Sequence, residues 1–122
     1  MTIRGLRGAT TIESDEELAV LIATDSLATK MAEVNGVNPD DIISVIISTT
    51  LDIKSTFPAK AVRTIEGWKY VPVMCTHEMD VANSMPLCIR ILMHVNSEIT
   101  QKDIKHVYLN NAVKLRPDLQ SK

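Results

Sequence analysis

Hydrophobic and polar positions change their period several times along the chain, and each change marks an expected element. Ser14-Asp15-Glu16-Glu17 fits the Ser-x-x-Glu box that opens helices, and acids crowd the turn where the helix dipole favours them. Leu18, Leu21, Ile22, Ala28 and Met31 then recur at spacings of three, four and seven, up to a stop at Asn35-Gly36. Asp25 interrupts this apolar stripe and Leu27 falls beside it, so the helix is expected to cover one face of a sheet.

The remaining segments read as short strands with one further helix. Arg7 falls in a first strand within the opening ten residues. Pro39-Asp40-Asp41 looks like a single turn, and Ile42 to Thr50 is a β-branched run that reads as a largely buried strand. Pro58 suits a first helical position, Ala59 to Glu66 are good helix formers, and Gly67 is placed to end them. Tyr70 to Thr76 and Leu87 to Val95 are expected strands, separated by Asn83-Ser84 and Pro86, and a last strand pair is expected over His106 to Leu109 and Ala112 to Leu115. The class is therefore α+β, a mixed β-sheet with helices on one side. With no repeat or linker, residues 1–122 form one unit.

Composition narrows the function more than the fold. At 45% hydrophobic and 23% charged residues, the chain matches ordinary soluble domains. A net charge of −2 supplies no field to gather nucleic acid, and the few aromatic residues, Phe57, Trp68, Tyr70 and Tyr108, are too scattered for base stacking. No apolar run approaches a membrane span or a signal peptide core, so a cytoplasmic protein with no membrane partner is expected. In that setting Cys75 and Cys88 are read as free thiols.

The arginines are the unusual feature. Arg90 stands in Leu87-Cys88-Ile89-Arg90-Ile91-Leu92-Met93, where apolar neighbours are expected on both faces and a buried charge would need a partner. Two readings stay open: a buried ion pair with an acid such as Glu78, or an anion site. Arg63 and Arg116 read more simply as solvent-facing charges. Lys60 lies three residues before Arg63 on the same helix face, so the two repel unless an anion or acid is near.

Other chemistries find no support. Cys75, His77 and Glu78 invite a nucleophile and base, yet adjacent strand residues point to opposite faces and no oxyanion loop is recognisable. His77-Glu78-Met79-Asp80-Val81 begins like a zinc-protease motif but has Val81 where the second His is required, so no metal is expected. Gly5 and Gly8 lack the setting of a nucleotide-binding loop. The residues themselves lead to an Arg-lined site for a small anion, such as a dicarboxylate.

Five fragments carry a resemblance beyond this: Arg4-Gly5-Leu6-Arg7-Gly8-Ala9-Thr10-Thr11, Phe57-Pro58-Ala59-Lys60-Ala61-Val62-Arg63, Ile89-Arg90, His106-Val107-Tyr108-Leu109 and Leu115-Arg116-Pro117-Asp118-Leu119. In this order and spacing they resemble the trimeric monofunctional chorismate mutases, over nearly the whole chain. The resemblance implies a homotrimeric pseudo-α/β-barrel with active sites between subunits, and the cofactor-free Claisen rearrangement of chorismate to prephenate in aromatic amino acid biosynthesis. It implies that Arg7 and Tyr108 hold a substrate carboxylate, that Arg90 reaches the other carboxylate region and the ether oxygen, and that Glu78 with Cys75 meets the ring hydroxyl. Phe57, Ala59, Lys60, Val73 and Met74 resemble cleft walls, and Arg63, Leu115 and Arg116 resemble entrance and tail positions. Asn83-Ser84-Met85-Pro86 departs from the family's glycine-containing turn. The rival reading is a trimeric carboxylate binder or imine deaminase of similar architecture, which would need a water-activating group beside its Arg.

Overall fold

The computed structural model of the chain describes residues 2–115. Five strands, β1 (Thr2–Thr11), β2 (Ile42–Thr49), β3 (Val73–His77), β4 (Cys88–Ser97) and β5 (Val107–Tyr108), and two helices, α1 (Glu17–Val34) and α2 (Ala59–Thr64), are joined by single 3-10 turns. The sheet order is β3-β2-β4-β1-β5. β4 runs antiparallel to both β1 and β2, while β3 pairs parallel with β2 and β5 parallel with β1. Helix α1 carries the chain from β1 to β2, leaving between them a gap that β4 later fills. Helix α2 makes the crossover between the adjacent parallel strands β2 and β3. The mixed α+β class is as expected.

The two-residue period of a strand decides what is buried. Ile89, Ile91, Met93 and Val95 of β4 point into the core, in register with Thr49, Ile47 and Val45 of β2 and with Thr10, Gly8 and Leu6 of β1. Helices α1 and α2 add their buried residues to the same core, so both cover one face of the sheet. The buried stripe of α1 differs from the expected one. It runs Val20, Thr24, Leu27, Ala28, Met31 and Ala32, whereas Leu18 and Ile22 are 69% and 60% exposed. The displacement follows from Thr24, whose hydroxyl donates to Val20 O at 2.8 Å and so can sit in an apolar stripe with its polarity satisfied.

Both ends of α1 are fastened to distant chain. The expected capping box does not form: Ser14 Oγ donates to the Glu16 carboxylate at 2.7 Å, and the helix starts at Glu17 without a side-chain cap. Asp15 instead accepts the backbone N–H groups of Lys54 and Ser55. At the other end Gly36 takes φ +63°, as its stop position requires. The buried Asn35 amide donates to Met31 O at 2.9 Å and Lys105 O at 2.8 Å, and its oxygen accepts Lys105 N–H at 2.8 Å.

Several boundaries differ from expectation. Helix α2 ends at Thr64 with Ile65 already extended, and Gly67, at φ +88°, belongs to the 65–68 turn that follows and does not stop the helix. Tyr70 is exposed and β3 begins only at Val73, since 68–71 form a turn that places Trp68 in the core. Ala112 to Leu115 is not a strand: Asn110 at φ +54° turns the chain into a 3-10 helix, Asn110–Lys114, and its amide donates to Thr10 Oγ1 and Thr11 O. Asn tolerates that backbone region better than most residues.

At Gly8, β1 passes close beneath α1. A Cβ built there would stand 2.5 Å from Met31 Sδ and 3.0 Å from Leu27 Cδ1, and both side chains are fully buried. Gly8→Ala is therefore expected to lower stability by about 1–3 kcal/mol through overpacking, read as a fall in the denaturant midpoint with unchanged slope. A Gly8→Ala variant as stable as the parent would contradict this packing.

Candidate active site

The face of the sheet away from the helices carries the polar chemistry. On β4 the residues between the core positions are Cys88, Arg90, Leu92 and His94, and alternation puts Arg7 and Ala9 of β1 on the same side. The register sets Arg7 opposite Leu92 and Ala9 opposite Arg90, with Ser48 of β2 on the other flank of Arg90 and Tyr108 of β5 beside Ala9. Arg7, Ser48, Glu78, Arg90, Leu92 and Tyr108 line one cavity of about 350 Å³.

Arg90 is not buried among apolar neighbours, as the sequence suggested, because every second neighbour points to the opposite face. Its side chain is 47% exposed and its Nε lies 3.4 Å from Glu78 Oε2, with the Glu78 side chain 34% exposed. A pair this open to solvent contributes ~1 kcal/mol or less to stability, so folding alone gives little reason for a guanidinium here. Glu78 is itself fixed: its N–H donates to Thr49 O at 2.7 Å, extending the β2–β3 pairing by one residue, and its Oε1 accepts Met79 N–H. Arg7 N–H donates to His106 Nδ1 at 3.0 Å, tying the first strand to the segment that presents Tyr108. Two guanidinium groups, one carboxylate and a phenol thus converge on an open concave surface, a set suited to an anion that also carries a hydroxyl.

A second depression, about 490 Å³, lies on the other side of β3 and is lined by Phe57, Lys60 and Cys75. Thr76 and His77 belong to the walls of both. Phe57 is exposed, and Lys60 Nζ sits 2.7 Å from Glu17 Oε2. That acid answers the expected repulsion between Lys60 and Arg63. Cys75 is directed under α2, where burial pushes its thiol pKa up, opposed by the Ala59 backbone and by the charge of Arg63.

The residues singled out from sequence therefore fall into two groups. Arg7, Glu78, Arg90 and Tyr108 come together within one chain. Cys75 does not join Glu78, since it lies on the core side of β3, with Phe57 and Lys60. Ala59 is buried and Val73 packs on the core, while Met74 and Arg63 are exposed. Leu115 packs on a small cluster of Ala9, Cys88 and Ala112 at the end of the uncovered face, next to Tyr108. Arg116 lies outside the described residues. Cys75 and Cys88 are both free. Ser48 was not anticipated, although the serines at 44 and 48 in an otherwise apolar run mark the face that β2 leaves uncovered.

Comparison with known proteins identifies the family. The profile of the family "Chorismate mutase type I" matches residues 3–119, and the chain belongs to that family. It is 49% identical over 119 residues to the chorismate mutase AroH of Bacillus subtilis (strain 168), covering 98% of this chain and 94% of that protein. The corresponding protein of Thermus thermophilus is 43% identical over 120 residues, covering 98% of each. A solved chorismate mutase from Clostridium thermocellum superposes with a TM-score of 0.86 at 46% identity, covering 88% of this chain and 96% of that one.

Two carboxylates hold the segment that presents Phe57 and Lys60. Asp15 is kept below its ordinary pKa by hydrogen bonds from Ser55 and Lys54, and Glu17 by its hydrogen bond and charge interaction with Lys60. Carboxyls depressed in the folded state stabilise it above their unfolded pKa, near 4, and lose that contribution as pH falls through the lower folded value. Asp15→Asn and Glu17→Gln are thus expected to melt below the parent at pH 7 and to converge with it in acid. A melting difference that persists unchanged at pH 2 would contradict these pairings.

Proposed function

We propose that the protein catalyses the rearrangement of chorismate to prephenate, in the branch of aromatic amino acid biosynthesis that leads to Phe and Tyr. The observation that carries the reading is the convergence of Arg7, Arg90, Glu78 and Tyr108 on the uncovered sheet face in a chain of this family. Arg7 and Tyr108 anchor one substrate carboxylate, Arg90 approaches the second and the ether oxygen, and Glu78 accepts the ring hydroxyl.

A pericyclic rearrangement requires neither nucleophile nor cofactor. It requires the compact conformer, which the two anchored carboxylates select, and stabilisation of the charge that develops. As the C–O bond breaks ahead of C–C bond formation, negative charge grows on the ether oxygen. A fixed guanidinium there favours the transition state over the ground state, and its pairing with Glu78 keeps it oriented without reorganisation during the reaction.

The working unit in this reading is a homotrimer in the cytoplasm, with each site shared by two subunits. Support comes from the division of site residues between two depressions and from the exposed Ile46, Met74 and Leu92 on the sheet face that neither α1 nor α2 covers. A neighbour's Phe57, Ala59, Lys60, Arg63, Val73, Met74 and Cys75 would close the wall that one chain leaves open, and Leu115 would border the entrance.

Loss of chorismate absorbance, followed with purified protein and no added metal or nucleotide, tests the activity directly. Arg90→Ala is expected to lower kcat by at least ~10²–10³-fold while folding normally. Near-native turnover by that variant would overturn the assigned role. Tyr108→Phe is expected to be milder, since Arg7 still satisfies the carboxylate. Light scattering is expected to give the mass of three chains, and a monomer at full activity would exclude the shared site.

A further inference from the structure

The start of β4 is held by a relay that belongs to none of the groups described so far. Leu87, just before the strand, sits at φ +49°, a region costly for a branched apolar side chain. Its N–H donates to Asp52 Oδ2 at 2.9 Å, and its carbonyl accepts Ile12 N–H at 3.0 Å. The other oxygen of the same carboxylate, Asp52 Oδ1, accepts the Thr50 hydroxyl at 2.5 Å. That hydroxyl in turn accepts Cys88 N–H at 3.0 Å, while Thr50 N–H donates to Cys88 O at 3.1 Å.

Every backbone polar group of Leu87 and Cys88 is thereby fixed, two residues before Arg90 and on the same side of the strand. Strain of this kind persists only where surrounding contacts over-determine it, and Asp52 and Thr50 supply most of those contacts. Asp52 is exposed, so its carboxylate is not part of the core. The Cys88 thiol connects the relay to the site: burial raises its pKa, Arg90 opposes this by charge and hydrogen bonding, and the Glu78 and Asp52 carboxylates add to it.

We infer that Asp52, acting through Thr50 and the Leu87–Cys88 backbone, is a positioning residue that fixes where β4 presents the Arg90 guanidinium. This role rests on the reading of Arg90 given above. An aim set by the backbone matters for a group that acts mainly in the transition state, where a displacement of about 1 Å can cost up to ~100-fold in rate. The signature is a fall in kcat with KM little changed.

The experiment is a double-mutant cycle on the full chain with chorismate as substrate. Asp52→Ala is expected to lower kcat by ~10- to 100-fold at nearly native KM. Asp52→Asn, which retains an oxygen for Leu87 N–H, is expected to recover most of the loss. In an Arg90→Lys background, where the guanidinium is already gone, Asp52→Ala is expected to change kcat far less than in the parent. Native kcat in Asp52→Ala, or the same fold-loss in both backgrounds, would overturn the positioning role. Should Asp52→Ala lack a cooperative melting transition, Thr50→Val, of nearly the same shape, replaces it under the same two criteria. Absence of turnover in the wild-type chain defeats the reading of the site and this role with it, whereas an active wild type with an additive cycle defeats the positioning role alone.

Discussion

Strand β4 lies antiparallel between β1 and β2, and side chains on a strand alternate, so each of its residues serves either the core or the uncovered face. Ile89, Ile91, Met93 and Val95 build the core under α1, and Arg90 is fixed on the other side by the same backbone. A shift of one residue in register would bury the guanidinium and expose the isoleucines, at a cost far beyond the stability of a domain this size. On the proposed reading of Arg90, the rigidity that catalysis needs there is a by-product of the hydrophobic burial that folds the chain. It is reinforced by pairing on both flanks, through Ser48 and Ala9.

The arrangement also explains why the cation carries so little of the fold's stability. Core burial takes place on the helix side of the sheet, and the Arg90–Glu78 pair is open to solvent on the other. Charged chemistry can therefore be placed on this face without the desolvation penalty of an interior site. In the trimeric reading a neighbouring subunit supplies the wall that the described residues leave open.

Much of the fold is legible in the sequence where local chemistry and tertiary environment agree. Gly36 takes the left-handed backbone that its stop position requires, and the turn at Pro39–Asp41 falls where its residues imply. The failures have specific causes. The buried stripe of α1 is displaced because a satisfied Thr24 stands in for an apolar residue, and the Ser14 box gives way because Asp15 is engaged by Lys54 and Ser55, which are remote in sequence. Arg90 looked buried because its immediate neighbours are apolar. Reading alternate positions of β4, with Arg90 and His94 on one parity, shows the open face. The grouping of Arg7 with Tyr108 depends on β5 pairing with β1 across about a hundred residues, which only the family resemblance could anticipate. The Asp52 relay left no trace in the sequence, since it depends on loop geometry.

One further consequence follows from the clip at the end of α1. Asn35 is followed by Gly36, the dipeptide in which an amide side chain is most readily attacked by the next backbone nitrogen and hydrolysed to a carboxylate. In the folded chain the Asn35 amide is buried and committed to three hydrogen bonds, so it is held away from that reaction. Once lost, its two donated bonds would become a negative charge facing the carbonyls of Met31 and Lys105, and the helix end could not be refastened in the same way. The chemical lifetime of this enzyme is therefore coupled to its conformation: each excursion that frees Asn35 risks irreversible ageing.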